Sequence, residues 1–220
     1  MTYYDHVRTE IRALLPKSPS SILDIGAGAG STLRWLKEMF PNAKTTGVEI
    51  NSTLYDQLRK NADVAIIGDV DACFPQLQSY DLILCLDVLE HFVDSTSTLR
   101  KLSTRLKAGG SVIVSVPNIA HLSISIPLLL QRRFSYSDAG ILDSTHLRFF
   151  VEQTAVELVN SADLRVTKGV VTGLDGPRSN LLDRLSFGLL RHHLAKQYVM
   201  RGELVHGGVV QEKVRWMVHR

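Results

Sequence analysis

The feature that most constrains this chain is the run ILDIGAGAG, Ile22 to Gly30. An apolar strand pattern passes into alternating glycines and then, from Ser31, into a helical pattern. Strand, tight turn and helix in that order open an α/β sheet, and glycines at the turn bring the backbone close to a ligand beneath the helix N-terminal amides. A carboxylate, Glu49, closes the second apolar run 21 residues beyond Gly28, the spacing at which an acid reaches a ribose diol. A nucleoside-containing ligand is the expectation.

The rest of the chain continues that alternation. Strands are expected at Ser21 to Ile25, Thr45 to Ile50, Val64 to Gly68, Tyr80 to Leu86 and Ser111 to Val116, several as the near-continuous apolar runs of buried parallel strands. Between them Ser31 to Phe40, Ser52 to Asn61 and Ser95 to Leu106 have helical periodicity, with Ser at N-cap positions and Gly109-Gly110 as a helix stop. A first helix is expected from about Tyr3 to Leu15, before the linker PKSPSS. A helix near Val151 to Ala162 and a strand near Leu164 to Thr172 resume the fold. The 34 residues 117–150 lack regular alternation, and irregular stretches of that length inside a domain are usually functional. Both Lys196 to Arg201 and Lys213 to His219 qualify as the last strand, and periodicity leaves that choice open.

Composition narrows the class. With 220 residues, 45% hydrophobic and 21% charged, the chain suffices for one full α/β domain spanning 1–220. No apolar run reaches the ~18 residues of a membrane span, and the first residues lack a secretory pattern, so the expected location is the cytoplasm. Cys73 and Cys85 read as two free thiols. A formal net charge of +3 is too small and scattered for a nucleic-acid surface. The segment 177–220 is locally basic, with eight Lys or Arg against three acids, which suits an anionic contact or a solvated helix face.

The glycine pattern also selects among nucleoside ligands. In the dinucleotide fingerprint G-x-G-x-x-G the final glycine would fall at Ser31, and an acid within the first strand, Asp24, is a poor neighbour for pyrophosphate. A cationic ligand without phosphate suits Asp24 better. Asp24, Gly26, Ala27, Gly28 and Gly30 then resemble the first motif of the class I S-adenosylmethionine-dependent methyltransferases. The rest of the pattern follows in order: Glu49 at the ribose position, Ile50 beside the adenine, Gly68-Asp69-Val70 as the loop that grips the adenine amino group, YDLILCLDVLEHF (80–92) and LKAGGSVIVSVPN (106–118) as the fourth and fifth strand motifs. That resemblance implies a doubly wound, Rossmann-like sheet of seven mostly parallel strands with the last antiparallel, S-adenosylmethionine as cofactor, and Leu86 and Asp87 at its methionine end.

Methyl transfer from a sulfonium needs a positioned nucleophile more than a metal, and no metal-spaced His/Cys cluster is visible in the sequence, so none is expected. The Asn-Pro-Pro-aromatic run of nucleic-acid amine methyltransferases is also absent after the fourth strand. For a hydroxyl acceptor the natural base is a histidine. His146, in DSTHLRFF, is the expected base, with His91 and His121 competing at the strand ends; Tyr4, Arg8, Asn118 and Arg148 complete the expected acceptor side. The segments GILDSTHLRFF, YYDHVR and PNIAHLSISIPLLL resemble a branch found with bacterial glycosyltransferases and polysaccharide assembly, close to the ubiquinone-type O-methyltransferases. That implies O-methylation of a small hydroxylated acceptor such as a sugar or glycan precursor, with 117–150 forming an acceptor-site insertion or lid and a peripheral contact with a lipid-linked substrate. The alternatives are an aromatic or quinone-like acceptor and a non-catalytic protein that binds the cofactor.

Overall fold

In the computed structural model the described residues are 6–174, 176–205 and 213–219. The strands are β1 (Ser21–Ile25), β2 (Lys44–Glu49), β3 (Val64–Ile67), β4 (Tyr80–Leu86), β5 (Leu106–Pro117), β6 (Leu164–Thr172), β7 (Gln197–Leu204) and β8 (Trp216–Val218). The helices are α1 (Ser31–Met39), α2 (Tyr55–Asn61), α3 (Val70–Cys73), α4 (Ser95–Ser103), α5 (Leu122–Gln131), α6 (Glu152–Asn160), α7 (Pro177–Leu185) and α8 (Arg191–Leu194).

All eight strands join one sheet in the order β3-β2-β1-β4-β5-β7-β6-β8. β1 to β5 run parallel; β7 is antiparallel to both β5 and β6, and β8 parallel to β6. The chain steps outward from β1 to β3 and then returns past β1 to β4. The C-terminal ends of β1 and β4 therefore flank a topological switch point, where such sheets hold their ligands.

The period-2 alternation of each strand divides the core between the two faces. Leu23, Ile25, Ile83, Cys85, Val112 and Val114 pack with Leu99 and Leu102 of α4 and Leu158 of α6 on one side. Ile22, Leu82, Leu84 and Ile113 pack with Leu33 and Leu36 of α1, Leu58 of α2 and Ile11 and Leu14 on the other. A parallel strand covered on both faces must be apolar at consecutive positions, which is why β1 and β4 read as unbroken runs.

Several boundaries differ from those expected. Within the described part of the first helix the chain forms a 3-10 turn, Thr9–Leu14. Helix α4 stops at Ser103, and Gly109-Gly110 lies inside β5, in a bulge where the pairing with β4 shifts between Tyr80 and Leu82. The glycines serve the bulge: a Cβ on Gly110 would stand 2.9 Å from the Lys107 carbonyl oxygen. Segment 117–150 contains a helix, α5, capped by the His121 side chain and carried through Pro127. Both C-terminal candidates are strands, so the sheet has eight strands rather than seven. β7 takes the antiparallel place, and β8 adds to the outer edge of β6. Cys73 and Cys85 are buried free thiols.

Candidate active site

The cofactor side is assembled at the ends of β1 and β2. Gly26, Gly28 and Gly30 all have positive φ (72°, 54° and 79°), the left-handed region open to glycine at little cost. Two of them are also tight: a Cβ on Gly26 would come within 2.9 Å of Val88 Cγ2, and one on Gly30 within 2.9 Å of Leu58 Cδ1. The amides of Gly26 and Ala27 donate to the Val48 carbonyl, and Asn61 Nδ2 donates to the Ala29 carbonyl (2.8 Å), fixing the loop at both ends.

Glu49, buried at the end of β2, holds the loop from across the crevice. Its Oε2 accepts the Gly28 N–H (2.9 Å) and its Oε1 the Asn51 N–H (2.8 Å). Each carboxylate oxygen retains a second lone pair for a ligand hydroxyl. Next to it Ile50, 72% exposed, is an apolar side chain left facing solvent. Asp69 N-caps α3 through the Asp71 amide (2.8 Å), while Val70 behind it is buried.

Asp24 is the least satisfied acid here. Among the described residues nothing donates a hydrogen bond to its carboxyl; burial, and then the nearby Glu49, push its pKa up to about 7 against the opposing pull of Arg8. A buried carboxyl short of positive charge matches a cationic ligand. The loop, Glu49, Ile50 and Asp24 thus fit the ribose, adenine and cationic end of S-adenosylmethionine.

Arg8 and Asp87 face inward to each other. Arg8 Nη1 donates to Asp87 Oδ2 (2.7 Å), Nη2 to Ser115 Oγ (3.1 Å), and Nε pairs with Glu10. Asp87, held at φ +50°, also accepts from Ser115 Oγ (2.6 Å) and Gln197 Nε2 (2.7 Å). These bonds tie the N-terminal segment to β4, β5 and β7, and Leu86 is buried beside them. Asn118 is likewise engaged: Nδ2 donates to the carbonyls of His192 (2.7 Å) and Ala195 (2.8 Å), and Oδ1 accepts the Ala120 N–H. His121 caps α5 by accepting the Ser123 N–H at Nδ1 (3.1 Å). Arg148 lies outside, donating to the Val93 carbonyl. Tyr4 is outside the described residues.

The remaining two histidines meet at a third residue that the sequence did not single out. The Leu147 and Arg148 amides donate to the Glu90 carbonyl (2.9 and 3.1 Å), folding segment 117–150 back onto the turn after β4. His146 and His91 then stand edge to face with ring centroids 4.9 Å apart, and His146 Nε2 lies 3.9 Å from Glu90 Oε1. Among the described residues no other residue donates a hydrogen bond to either buried Glu90 carboxylate oxygen; a contact from its own backbone amide only partly offsets burial. Burial, reinforced by Asp87, raises the Glu90 pKa well above the ordinary carboxylate value, and burial lowers that of His146. Glu90 escaped notice because nothing in LEHF distinguishes a buried acid from a solvated one. The expectation of no metal cluster considered neighbours in sequence; the fold puts donor atoms of Glu90, His91 and His146 within 4.8 Å of one another.

A glycine-lined switch point, an acid at the end of β2 and an antiparallel β7 beside β5 define a class I S-adenosylmethionine-dependent methyltransferase fold. The chain belongs to the methyltransferase domain family, whose model matches residues 3–168. Its cofactor is accordingly S-adenosylmethionine. It is 27% identical over 182 residues to a ubiquinone biosynthesis O-methyltransferase of Albidiferax ferrireducens, with 73% of this chain and 66% of that one covered. The chain spans 36% to 66% of the length of the first curated relatives it matches. In fold it resembles an S-adenosylmethionine-dependent methyltransferase from Mesorhizobium loti (TM-score 0.60, 15% identity, 87% of this chain and 94% of the other). It also resembles a methyltransferase of calicheamicin biosynthesis in its SAH-bound form (TM-score 0.58, 16% identity, 91% and 53%). No helix among the described residues is long and apolar enough to cross a membrane.

Proposed function

We propose that the chain transfers the methyl group of S-adenosylmethionine to a hydroxyl of a small molecule, with His146 as the group that takes up the hydroxyl proton. The observation that carries this reading is the state of that imidazole. Nδ1 lies 3.1 Å from the Ile141 carbonyl, which only accepts, so Nδ1 bears the hydrogen and Nε2 presents a lone pair. Burial keeps the ring neutral at physiological pH. The cofactor supplies an already activated methyl group, so the chain's work is to bind, align and deprotonate the acceptor. Asp24, Gly28, Glu49, Ile50, Asp69 and Val70 hold the cofactor in this reading, and Arg8 and Asp87 support its methionine end by bracing the strand termini.

Segment 117–150 is assigned to the acceptor because it delivers His146 to the turn after β4. A sugar or glycan precursor, met in the cytoplasm, is the acceptor implied by resemblance. The exposed Leu129 and Leu130 of α5, followed by Arg132 and Arg133, suit contact with a lipid-linked form of it. A quinol or other aromatic acceptor is the second reading. It is favoured by the cluster of Phe134, Tyr136 and Phe149, with ring centroids 5.6 to 6.4 Å apart, and by the ubiquinone-biosynthesis relative.

Methyl-tritiated cofactor, offered with a panel of nucleotide sugars, simple glycosides, phenols and catechols, tests the reading. His146→Ala is expected to lower turnover on the best acceptor by roughly 10² to 10⁴ while cofactor affinity stays nearly unchanged. Near-normal turnover by that variant overturns the role given to His146.

A further inference from the structure

We propose that Glu90, His91 and His146 bind a divalent cation of the zinc or manganese kind, and that this ion holds the acceptor's hydroxyl oxygen. Only the second clause rests on the methyl transfer to a hydroxyl proposed above, and it replaces the base role given there to His146. Glu90 offers a buried carboxylate to which no other described residue donates a hydrogen bond, in a place where leaving a polar group unpaired is costly. The tautomers of the two histidines point the same way. His146 Nδ1 donates to the Ile141 carbonyl (3.1 Å). His91 Nδ1 lies 3.3 Å from the Thr145 carbonyl and 3.1 Å from Thr145 Oγ1; the Thr145 hydroxyl hydrogen is directed to Asp143 Oδ1 (2.7 Å), so the hydrogen on this contact belongs to His91. Each ring therefore presents Nε2 as a lone pair.

Donor atoms of the three side chains come within 4.8 Å of one another. His146 Nε2 and Glu90 Oε1, 3.9 Å apart, are beyond hydrogen-bond distance, so the two do not satisfy each other. Metal-bound histidines characteristically donate their other N–H to a backbone carbonyl, which fixes the ring and raises its basicity, and both rings do so here. An ion would draw the set together. Tetrahedral zinc with bonds of ~2.0–2.2 Å places its donors ~3.3–3.6 Å apart. The three donor atoms, which lie within 4.8 Å of one another, close by up to roughly an ångström or a little more as the ion enters. Two imidazoles and one carboxylate select zinc, manganese or a neighbouring transition ion over magnesium or calcium, which prefer oxygen ligands. Three protein ligands also leave coordination positions open for the acceptor oxygen.

On this arrangement the acceptor O–H loses its proton to solvent while its oxygen is held on the ion. The oxygen lone pair forms the bond to the methyl carbon, and the electrons of the breaking carbon–sulfur bond return to sulfur as a neutral thioether. Nothing is oxidised or reduced. His146 then acts as a ligand, and Asp143 supports the site from outside by orienting Thr145.

Full-length protein freed of metal with a chelator and titrated with Zn²⁺ in a calorimeter is expected to bind one equivalent, and Co²⁺ in its place to give visible absorption bands typical of nitrogen and oxygen ligands. Glu90→Gln and His146→Ala are each expected to weaken that binding at least tenfold, with fold checked by circular dichroism and by cofactor binding. Absence of a stoichiometric site, or an affinity unchanged in both variants, overturns the proposal. Activity separates it from the preceding reading. Turnover that survives chelation but is lost in His146→Ala leaves the histidine as a metal-free base and removes the ion. A stoichiometric Zn²⁺ site in a protein whose turnover ignores both chelation and His146→Ala keeps the ion and removes the acceptor role of this cluster.

Discussion

The two ends of the crevice are built differently. At the cofactor end each important contact joins backbone to a side chain of the adjoining strand or helix, as when Glu49 receives the Gly28 amide from 21 residues away. At the acceptor end the partners are brought from remote parts of the chain: Thr145 to His91 across 54 residues, Asn118 to the His192 carbonyl across 74. The cofactor end sets Glu49, bonded on both oxygens, beside the buried Asp24, whereas at the acceptor end neither oxygen of the buried Glu90 has a partner on another described residue. A local motif can pre-form a site from backbone alone. A site made by docking a distant segment concentrates unsatisfied groups where the segment arrives, and those groups mark the place where a ligand is expected.

If the cofactor end depends on Glu49 as this contrast requires, Glu49→Ala produces the largest effect. Losing a charge-assisted bond costs roughly 1.5–3 kcal/mol, a tenfold to hundredfold rise in the Kd for S-adenosylmethionine by calorimetry. A Kd that stays within experimental error removes Glu49 from the ribose site. The matching change at the other end is Asn118→Ala. It deletes three hydrogen bonds at a fully buried position and leaves the His192 and Ala195 carbonyls short of a donor, so stability in urea is expected to fall by about 1–3 kcal/mol. The Kd for cofactor should hold. A large change in Kd with unchanged stability would show Asn118 touching ligand rather than bracing β5 against the α8–β7 turn.

The same contrast explains what the sequence revealed. β1 and β4 were legible because strands covered on both faces must be apolar throughout, and β6 was legible to the residue. The glycine loop and Glu49 were legible because their spacing along the chain is the spacing of the site. Glu90 was invisible, since burial of a single acid follows from the docking of residues 141–148 and leaves no periodic trace. Arg8 was picked out from the sequence, but its partners Asp87 just past β4, Ser115 of β5 and Gln197 of β7 come from remote parts of the chain, and no local pattern announces them. Gly109-Gly110 looked like a helix stop because a bulge and a C-cap ask for the same residue.

The finest test of the comparison is the pH dependence of stability in metal-free protein. Burial is the largest influence on Glu90, raising its pKa well above the ordinary value of 4.5; Asp87 and Asp143 add to the rise, Arg8 opposes it, and His146 and His91 stand beside it. A group with a raised folded pKa contributes its stability in full below the unfolded pKa and loses it as pH rises through the folded one. Wild-type protein should therefore lose stability as pH climbs from about 4.5 upward relative to Glu90→Gln, which cannot ionise, by at most ~1.4 kcal/mol per pH unit for one proton. The measurement is the difference between the two urea-unfolding free energies at a series of pH values, with chelator present. Parallel profiles would mean that Glu90 titrates normally and that the acceptor end is no less satisfied than the cofactor end. If Zn²⁺ occupies the cluster, adding it should flatten the wild-type profile alone, because the ion stabilises the ionised carboxylate that burial opposes.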